Sequence, residues 1–332
     1  MLRWQSRPID STAPDLADWV ELHHECAGGP LLHPDFLLAA LREYGGRHTR
    51  LWTCRMGNRL LAAAVLQTDG PLRIGTFQPS QAPVGFWLQR HEVTTAELVS
   101  TLAARQPLWR LVLSVTQQDP ALLKRPANAG LLRTSDYIDT AKISIVTDWP
   151  TYWQARGSNL RQNIRKARNR LEKADKRFEV RTIRAAGQMA NAVRTYGEIE
   201  SRSWKAFRGT AVAPDSDQER FYTDLLTRFA QRERALCYQL WIDDKVAATD
   251  LCVLGREEIV ILKTTFDEAF KEFSPAFLMR EIAFTDLFKA GWCRRIEFYG
   301  RVMEWHQRWT DEIRTMYHVT HYRIPFLTLI RK

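Results

Sequence analysis

Two stretches of the chain run through the same succession of apolar and polar positions. Phe36 to Gln67, FLLAALREYGGRHTRLWTCRMGNRLLAAAVLQ, and Phe221 to Val253, FYTDLLTRFAQRERALCYQLWIDDKVAATDLCV, each open with apolar residues at helical spacing. Each then passes a basic connection, goes over to the alternation of a strand, turns at a polar pair and returns as a second strand. The pairs are Gly57-Asn58 and Asp243-Asp244, short polar doublets that suit a tight hairpin. The leading Phe lies 21 residues before the turn in the first stretch and 22 in the second. A tandem pair of α/β units is therefore expected, each a mixed, twisted sheet flanked by helices.

Aligning the turns sets Arg59 on Lys245, Leu61 on Ala247, Ala64 on Asp250 and Leu66 on Cys252. Asp250 thus carries a carboxylate where the other copy has a methyl group. Period-2 alternation allows it on the solvent face of a half-exposed strand. If it is buried beside its apolar neighbours Leu251 and Val253, it needs a partner. Pro150, Gly157 and Ser158 punctuate the middle of the chain and predict a boundary, with units at 1–150 and 151–332. A second irregular stretch, Phe207 to Arg220, separates two helical patterns and is long enough for a functional loop.

The segment Asn159 to Arg177, NLRQNIRKARNRLEKADKR, opens the second unit. Leu160, Ile164, Ala167, Leu171, Ala174 and Phe178 recur every three or four residues, which is one apolar seam on a helix. Ser158 is placed to cap it, and the basic residues of its last turn suit the helix dipole. Off the seam stand Arg161, Arg165, Lys166, Arg168, Arg170, Lys173, Lys176 and Arg177, against only Glu172 and Asp175. Such a face is either simply solvated or a surface for phosphates, where each cation displaces a counterion. Few aromatic residues interleave it, which argues against a base-stacking platform.

After Glu258 the pattern becomes strand, helix, strand. EEIVILKTTF reads as a strand, SPAFLMREIAFTDLFKAG as a helix with Ser274 at its cap and Pro275 at its first position, and RRIEFYGR as a second strand. A right-handed crossover sets two such strands side by side and parallel. Lys263 and Asp267 leave the first strand, and Glu297, Tyr299 and Arg301 lie along or beyond the second. Glu304, His306, Arg308 and Trp309 follow in an aromatic-rich run. Acyl transfer needs a base for the acceptor proton and donors for the carbonyl oxygen. Glu304 or His306 is the candidate base and Tyr299 the candidate acid; Asp250 and Lys263 complete the set. The bland alternatives are a packing histidine at His306 and a Glu297–Arg301 ion pair.

Composition narrows the partners more than the fold. The 332 residues carry a net charge of +10, which favours an anionic partner. Cys26, Cys54, Cys237, Cys252 and Cys293 are scattered singly, without zinc-ligand spacing, and read as small buried hydrophobes; no metal is expected. The first residues lack the apolar core of a signal peptide, and no later stretch offers the run of about 20 apolar residues that a span requires. A cytoplasmic protein is expected, with no membrane span of its own and an oligomeric state that the sequence leaves open.

LRQNIRKARNRL, ILKTTFDEAFKEFSPAFLMREIAF and IEFYGRVMEWHQRWTD together resemble the GNAT acyltransferase superfamily, in its FemAB-like and CelD-like branch linked to bacterial cell-envelope and exopolysaccharide synthesis. The resemblance runs from about Tyr152 to Arg323 and implies two GNAT-like units side by side. It implies transfer of an acyl group, from acyl-CoA, to an amine or hydroxyl of a sugar, amino acid or envelope precursor. Aminoacyl-tRNA is the donor it implies in the Fem enzymes. A non-catalytic protein holding an anionic polymer of an exopolysaccharide system is the remaining alternative. Ser274, Ala276 and Phe277 at the helix start, with Arg161, Arg165 and Arg168 of the basic helix, become the candidate donor-binding residues. One departure from the CoA-binding pattern is plain: no glycine occurs from Phe266 to Arg280, where that pattern has a glycine-rich turn at a helix N-terminus.

Overall fold

The computed structural model of the chain describes residues 1–9, 15–26, 28–202 and 212–328. The chain forms two compact units, residues 1–140 with 314–332, and residues 141–313. The first five residues of the irregular stretch at 207–220 lie outside the described residues; the rest lead into a helix that starts at Asp217.

In the first unit β1 (Arg3–Pro8) precedes the helices α1 (Ala17–Glu25) and α2 (Pro34–Tyr44), and the hairpin β2 (Thr49–Met56), β3 (Arg59–Asp69) follows. Next come β4 (Arg73–Thr76), β5 (Trp87–Gln89), α3 (Thr95–Arg105), β6 (Val112–Gln118) and β7 (Leu132–Ser144). β1, β2, β3 and β4 pair in that order and antiparallel, whereas β4 and β6 are parallel.

β7 carries the chain into the second unit. There α4 (Trp149–Gln154), α5 (Ser158–Lys173), β8 (Phe178–Ile183), α6 (Ala186–Ser201) and α7 (Asp217–Gln231) precede the hairpin β9 (Ala235–Ile242), β10 (Lys245–Leu254). β11 (Glu258–Phe266), a 3-10 turn (Glu268–Phe273), α8 (Pro275–Lys289), β12 (Arg295–Phe298) and the short α9 (Glu304–Gln307) complete it. β8, β9, β10 and β11 pair in that order and antiparallel, and β11 and β12 are parallel. Residues 141–144 at the end of β7 close the far edge against β12.

The repeat seen in the sequence is thus a repeat of structure. Helix, strand, two-residue turn and strand recur as α2–β2–β3 and α7–β9–β10, and the first turn residue has a positive φ in both, Gly57 at 58° and Asp243 at 52°. The fold is α/β, with two tandem units of one plan, each a mixed sheet flanked by helices. The last strand departs from expectation. β13 (Ile313–Tyr322) pairs antiparallel with β6, so residues 314–332 belong to the first unit although the sequence grouped them with the second. Tyr317 and Val319 explain this, because both are buried in the first unit's core with Leu113 and Val115 of β6.

α5 carries the predicted seam: Leu160, Ile164, Ala167 and Leu171 are buried. Its cap differs from the reading of the sequence. Ser158 is already helical and Gly157 holds the cap position, with no side-chain bond to the first turn. The helix ends before Ala174, and Phe178 opens β8. Four of the five cysteines are buried and all are free thiols. No helix among the described residues is long and apolar enough to cross a membrane.

Candidate active site

β11 and β12 are partners only over Glu258–Val260 and Arg295–Glu297. β12 ends at Phe298, while β11 runs on to Phe266. The two parallel strands therefore part, and the edge of β11 that faced β12 loses its neighbour. The register of β11 on β10 also skips Leu262, since Cys252 pairs with Ile261 and Leu251 with Lys263. A bulge there adds twist and re-aims the following side chains. α8 starts beyond the end of β11, after Ser274 with φ 47° and ψ 52°.

Ser274 holds the predicted cap position of α8, but its hydroxyl makes no capping bond. The left-handed backbone at Ser274, which closes the preceding 3-10 turn, replaces the extended geometry in which a serine caps. Its carbonyl accepts from the N–H groups of Phe277 and Leu278, both at 3.1 Å, and Pro275 has no N–H to give. Ala276 is the remaining first-turn donor.

Asp250 is buried and has the partner that burial demands. Both of its carboxylate oxygens accept from Arg280, from Nε and Nη2, each at 3.1 Å. Arg280 lies in α8 and is itself 3 % exposed. It also donates to the hydroxyl of Thr264 on β11, and its guanidinium lies over the Trp305 ring at 4.2 Å. On the other side of Thr264, its carbonyl accepts from Tyr196 of α6 at 3.2 Å. The single hydroxyl proton of Tyr196 is shared with buried Glu200, the nearer acceptor at 2.8 Å. Arg280 thus ties α8 to two central strands, to Asp250 of β10 by a bidentate, charge-assisted contact and to Thr264 of β11.

α9 presents two faces. Trp305 stacks on His306 at 3.5 Å, and both turn inward toward Arg280 and Phe298. The backbone N–H of Met303 donates to Nδ1 of His306 at 2.9 Å, which puts the ring proton on Nε2. Burial and the nearby Arg280 cation push the His306 pKa down to about 4, so the ring is neutral near pH 7. Glu304 points the other way. Its side chain is 82 % exposed and pairs with Arg308 at 2.6 Å. Glu304 and Arg308 border a cleft of about 510 Å³ whose opposite wall is the start of α5, with Asn159, Leu160 and Asn163. Arg308 also covers the ring of Phe277 at 5.5 Å, so the cleft adjoins the first turn of α8.

The residues expected from the sequence fall into two groups. Glu304, Phe277 and α5 come together around the cleft, and Asp250 and His306 gather around Arg280. Lys263 does not join them. It faces α7, with Nζ 3.5 Å from Gln218 and 5.7 Å from the Tyr222 ring centre. Tyr299 is half-buried just beyond β12. Arg168 is engaged by Glu281 of α8, and Arg170 donates to the Glu272 carbonyl at 2.6 Å, so α5 is clamped against the start of α8. Arg161 and Arg165 are exposed and make no ion pair among the described residues. Glu297 pairs with Arg295, Nε to Oε1 3.4 Å, and not with Arg301, because the chain leaves the strand at Phe298 before Arg301 can share its face.

Arg280 and Trp305 were missed from the sequence. Arg280 interrupts the apolar run FLMREIAF and falls on the same helical face as Ala276, Phe284 and Leu287, which marks it for burial. Asp250, the strand carboxylate that lacked a partner, was the complementary signal. Among the described residues no cluster of three or more side chains is arranged to hold a metal ion.

Residues 158–307 match the family model described as an acetyltransferase (GNAT) domain. No curated protein sequence matches the chain. Among solved structures, the C-terminal domain (DUF2156) of a candidate lysylphosphatidylglycerol synthetase from Agrobacterium fabrum aligns over 95 % of this chain and 96 % of its own, with TM-score 0.56 and 14 % identity. FemX aligns over 99 % of this chain and 100 % of its own, with TM-score 0.54 and 9 % identity. A protein of unknown function from Bacteroides thetaiotaomicron aligns over 87 % and 90 %, with TM-score 0.50 and 9 % identity. At these identities the likeness is one of fold. The matched domain takes in nearly all of the second unit, which is similar over residues 158–307 to the acetyltransferase (GNAT) domain.

Proposed function

We propose that the second unit transfers an acyl group from acyl-CoA to an amine or hydroxyl of a sugar, amino acid or envelope precursor. The parting of β11 from β12 beside the start of α8 carries this reading. A thioester lying in that gap meets backbone N–H groups on the bared edge of β11, oriented donors for the oxyanion of a tetrahedral intermediate. Arg161 and Arg165, two exposed cations of α5 that make no ion pair among the described residues, reach the donor phosphates in place of a glycine-rich turn, with Ala276 as the backbone donor. Arg168 holds α5 against α8.

Glu304 is the base. It is exposed on the cleft wall, where an acceptor enters, whereas His306 is neutral with Nδ1 already bonded and Nε2 carrying its proton. As the acceptor nitrogen or oxygen attacks the thioester carbon, its proton passes to Glu304. When the C–S bond breaks, Tyr299 gives its proton to the departing thiolate. Asp250 positions α8 through Arg280 and takes no proton. In the assay, free CoA released from acetyl-CoA is measured with amino-sugar and amino-acid acceptors. Glu304→Gln should lower turnover by on the order of 100-fold with an unchanged melting temperature, since the side chain is mostly exposed. Wild-type turnover in that variant would remove Glu304 from the role.

A second reading has its own observation. Pro275 and the doubly used Ser274 carbonyl leave few backbone donors for a pyrophosphate, while α5 exposes a long row of cations. That favours a larger polyanion such as aminoacyl-tRNA as the donor, the donor of Fem-type enzymes. Turnover with charged tRNA and none with acetyl-CoA would select it.

A further inference from the structure

Water-exposed apolar side chains gather at one place on the first unit. Leu108 is 82 % exposed, Trp109 63 % and Phe326 66 %, with Leu72 and Ile324 each nearly half exposed. They come from three separate segments, and the backbone draws those together. The N–H groups of Leu111 and Val112 donate to the Leu72 carbonyl at 2.9 and 3.1 Å. The N–H of Arg323 donates to the Leu111 carbonyl at 2.9 Å, and its guanidinium to the carbonyls of Pro107 and Gln106. The β3–β4 turn, the α3–β6 connection and the chain after β13 thus share one corner. Isolated exposed apolar residues are ordinary, but five large ones from three segments at one corner are not.

The rim of this patch is basic. Arg73 and Arg105 are exposed and make no ion pair among the described residues. Arg110 is engaged only with the backbone, donating to the carbonyls of Gly70 and Arg73. Asp69 is the acid nearest in sequence. A groove would shelter its lining, whereas Leu108 and Trp109 stand clear of the surface on a connection between elements. Protruding Trp and Leu side chains ringed by arginine match the interface of a bilayer, where apolar side chains enter the acyl boundary and the cations meet anionic headgroups. A protein partner would need a matching pocket for each protrusion; a fluid lipid surface does not.

We propose that this corner of the first unit is a docking surface for an anionic lipid bilayer, placed by Leu72, Leu108, Trp109 and Phe326 with Arg73 and Arg105 around them. The test is co-sedimentation of the full chain with vesicles of equimolar phosphatidylglycerol and phosphatidylcholine, and with phosphatidylcholine alone. Binding is expected to the anionic vesicles and to weaken in high salt. The double variant Leu108→Ser, Trp109→Ser should lose roughly tenfold or more in partitioning. Arg73→Glu, Arg105→Glu should also weaken it, with melting curves like the wild type in both cases. Several results would overturn the proposal: no binding by the wild type, undiminished binding by the serine variant, or equal binding to neutral vesicles. Self-association that the serine variant abolishes, without vesicle binding, would instead make the corner a contact between copies of the chain.

Discussion

The two units have the same strand order and differ at the point where their parallel strands part. In the first unit, β4 and β6 are last paired at Gly75 and Ser114, and the opening beyond them is closed. The Thr76 and Thr116 hydroxyls bond to each other at 2.6 Å, and the N–H of Gly85 donates to the Gln117 carbonyl at 3.3 Å. A Cβ on Gly85 would lie 2.3 Å from the Thr116 carbonyl oxygen, so only glycine lets the chain pass so close. Phe77 and Phe86 stack behind it, both buried. In the second unit no strand covers the corresponding edge of β11 among the described residues, and α8 starts beyond its end. The lesson is that the duplicated framework closes this gap in one copy and leaves it open in the other, where the proposed transfer would take place.

The interior of the units differs in the same sense. Ala64 sits in register with Trp52 and Trp87, whereas Asp250 sits between Tyr238 and Thr264 and binds Arg280. Removing one member of a buried ion pair leaves the other uncompensated, which costs about 3–5 kcal/mol, while replacing both with apolar groups is often neutral. Asp250→Ala should therefore destabilise the second unit by about that amount in urea unfolding. The double change Asp250→Leu, Arg280→Met should recover most of it. A loss below about 1 kcal/mol for the single variant would show that the pair does not hold α8 to the sheet.

His306 gives the smaller effect, with a pH signature in the second unit. Its pKa falls from 6.5 to about 4 in the folded chain, so the unfolded chain takes up the proton first as pH drops. The stability it confers is present above about pH 6.5 and is lost as pH falls from there toward 4, by on the order of 3 kcal/mol. Unfolding free energies across that range should slope more steeply for the wild type than for His306→Gln. Parallel slopes would contradict a buried, neutral imidazole.

Much of this comparison could be read in the sequence, because it rests on local pattern. The hairpin pairs, the helical seams and the crossover around α8 are short-range features, and the turn alignment exposed Asp250 without knowledge of any contact. The unread parts are long-range. Arg280 lies 30 residues from Asp250, and only the folded sheet shows that they meet. β13 returns to β6 from about 200 residues further along the chain, a pairing that its alternation cannot announce. Lys263 and Asp250 follow equally plausible strand patterns yet face opposite sides, since adjacent register positions on β10 and β11 alternate between the α7 and α8 faces.

The central claim is that the donor enters the open gap of the second unit and not the closed one of the first. Amide hydrogen exchange with and without saturating acetyl-CoA tests it directly. The account predicts added protection at Asp267–Phe277 and along the first turns of α5, with residues 76–86 and 112–118 unchanged. Protection at residues 76–86, with the start of α8 unaffected, would contradict it.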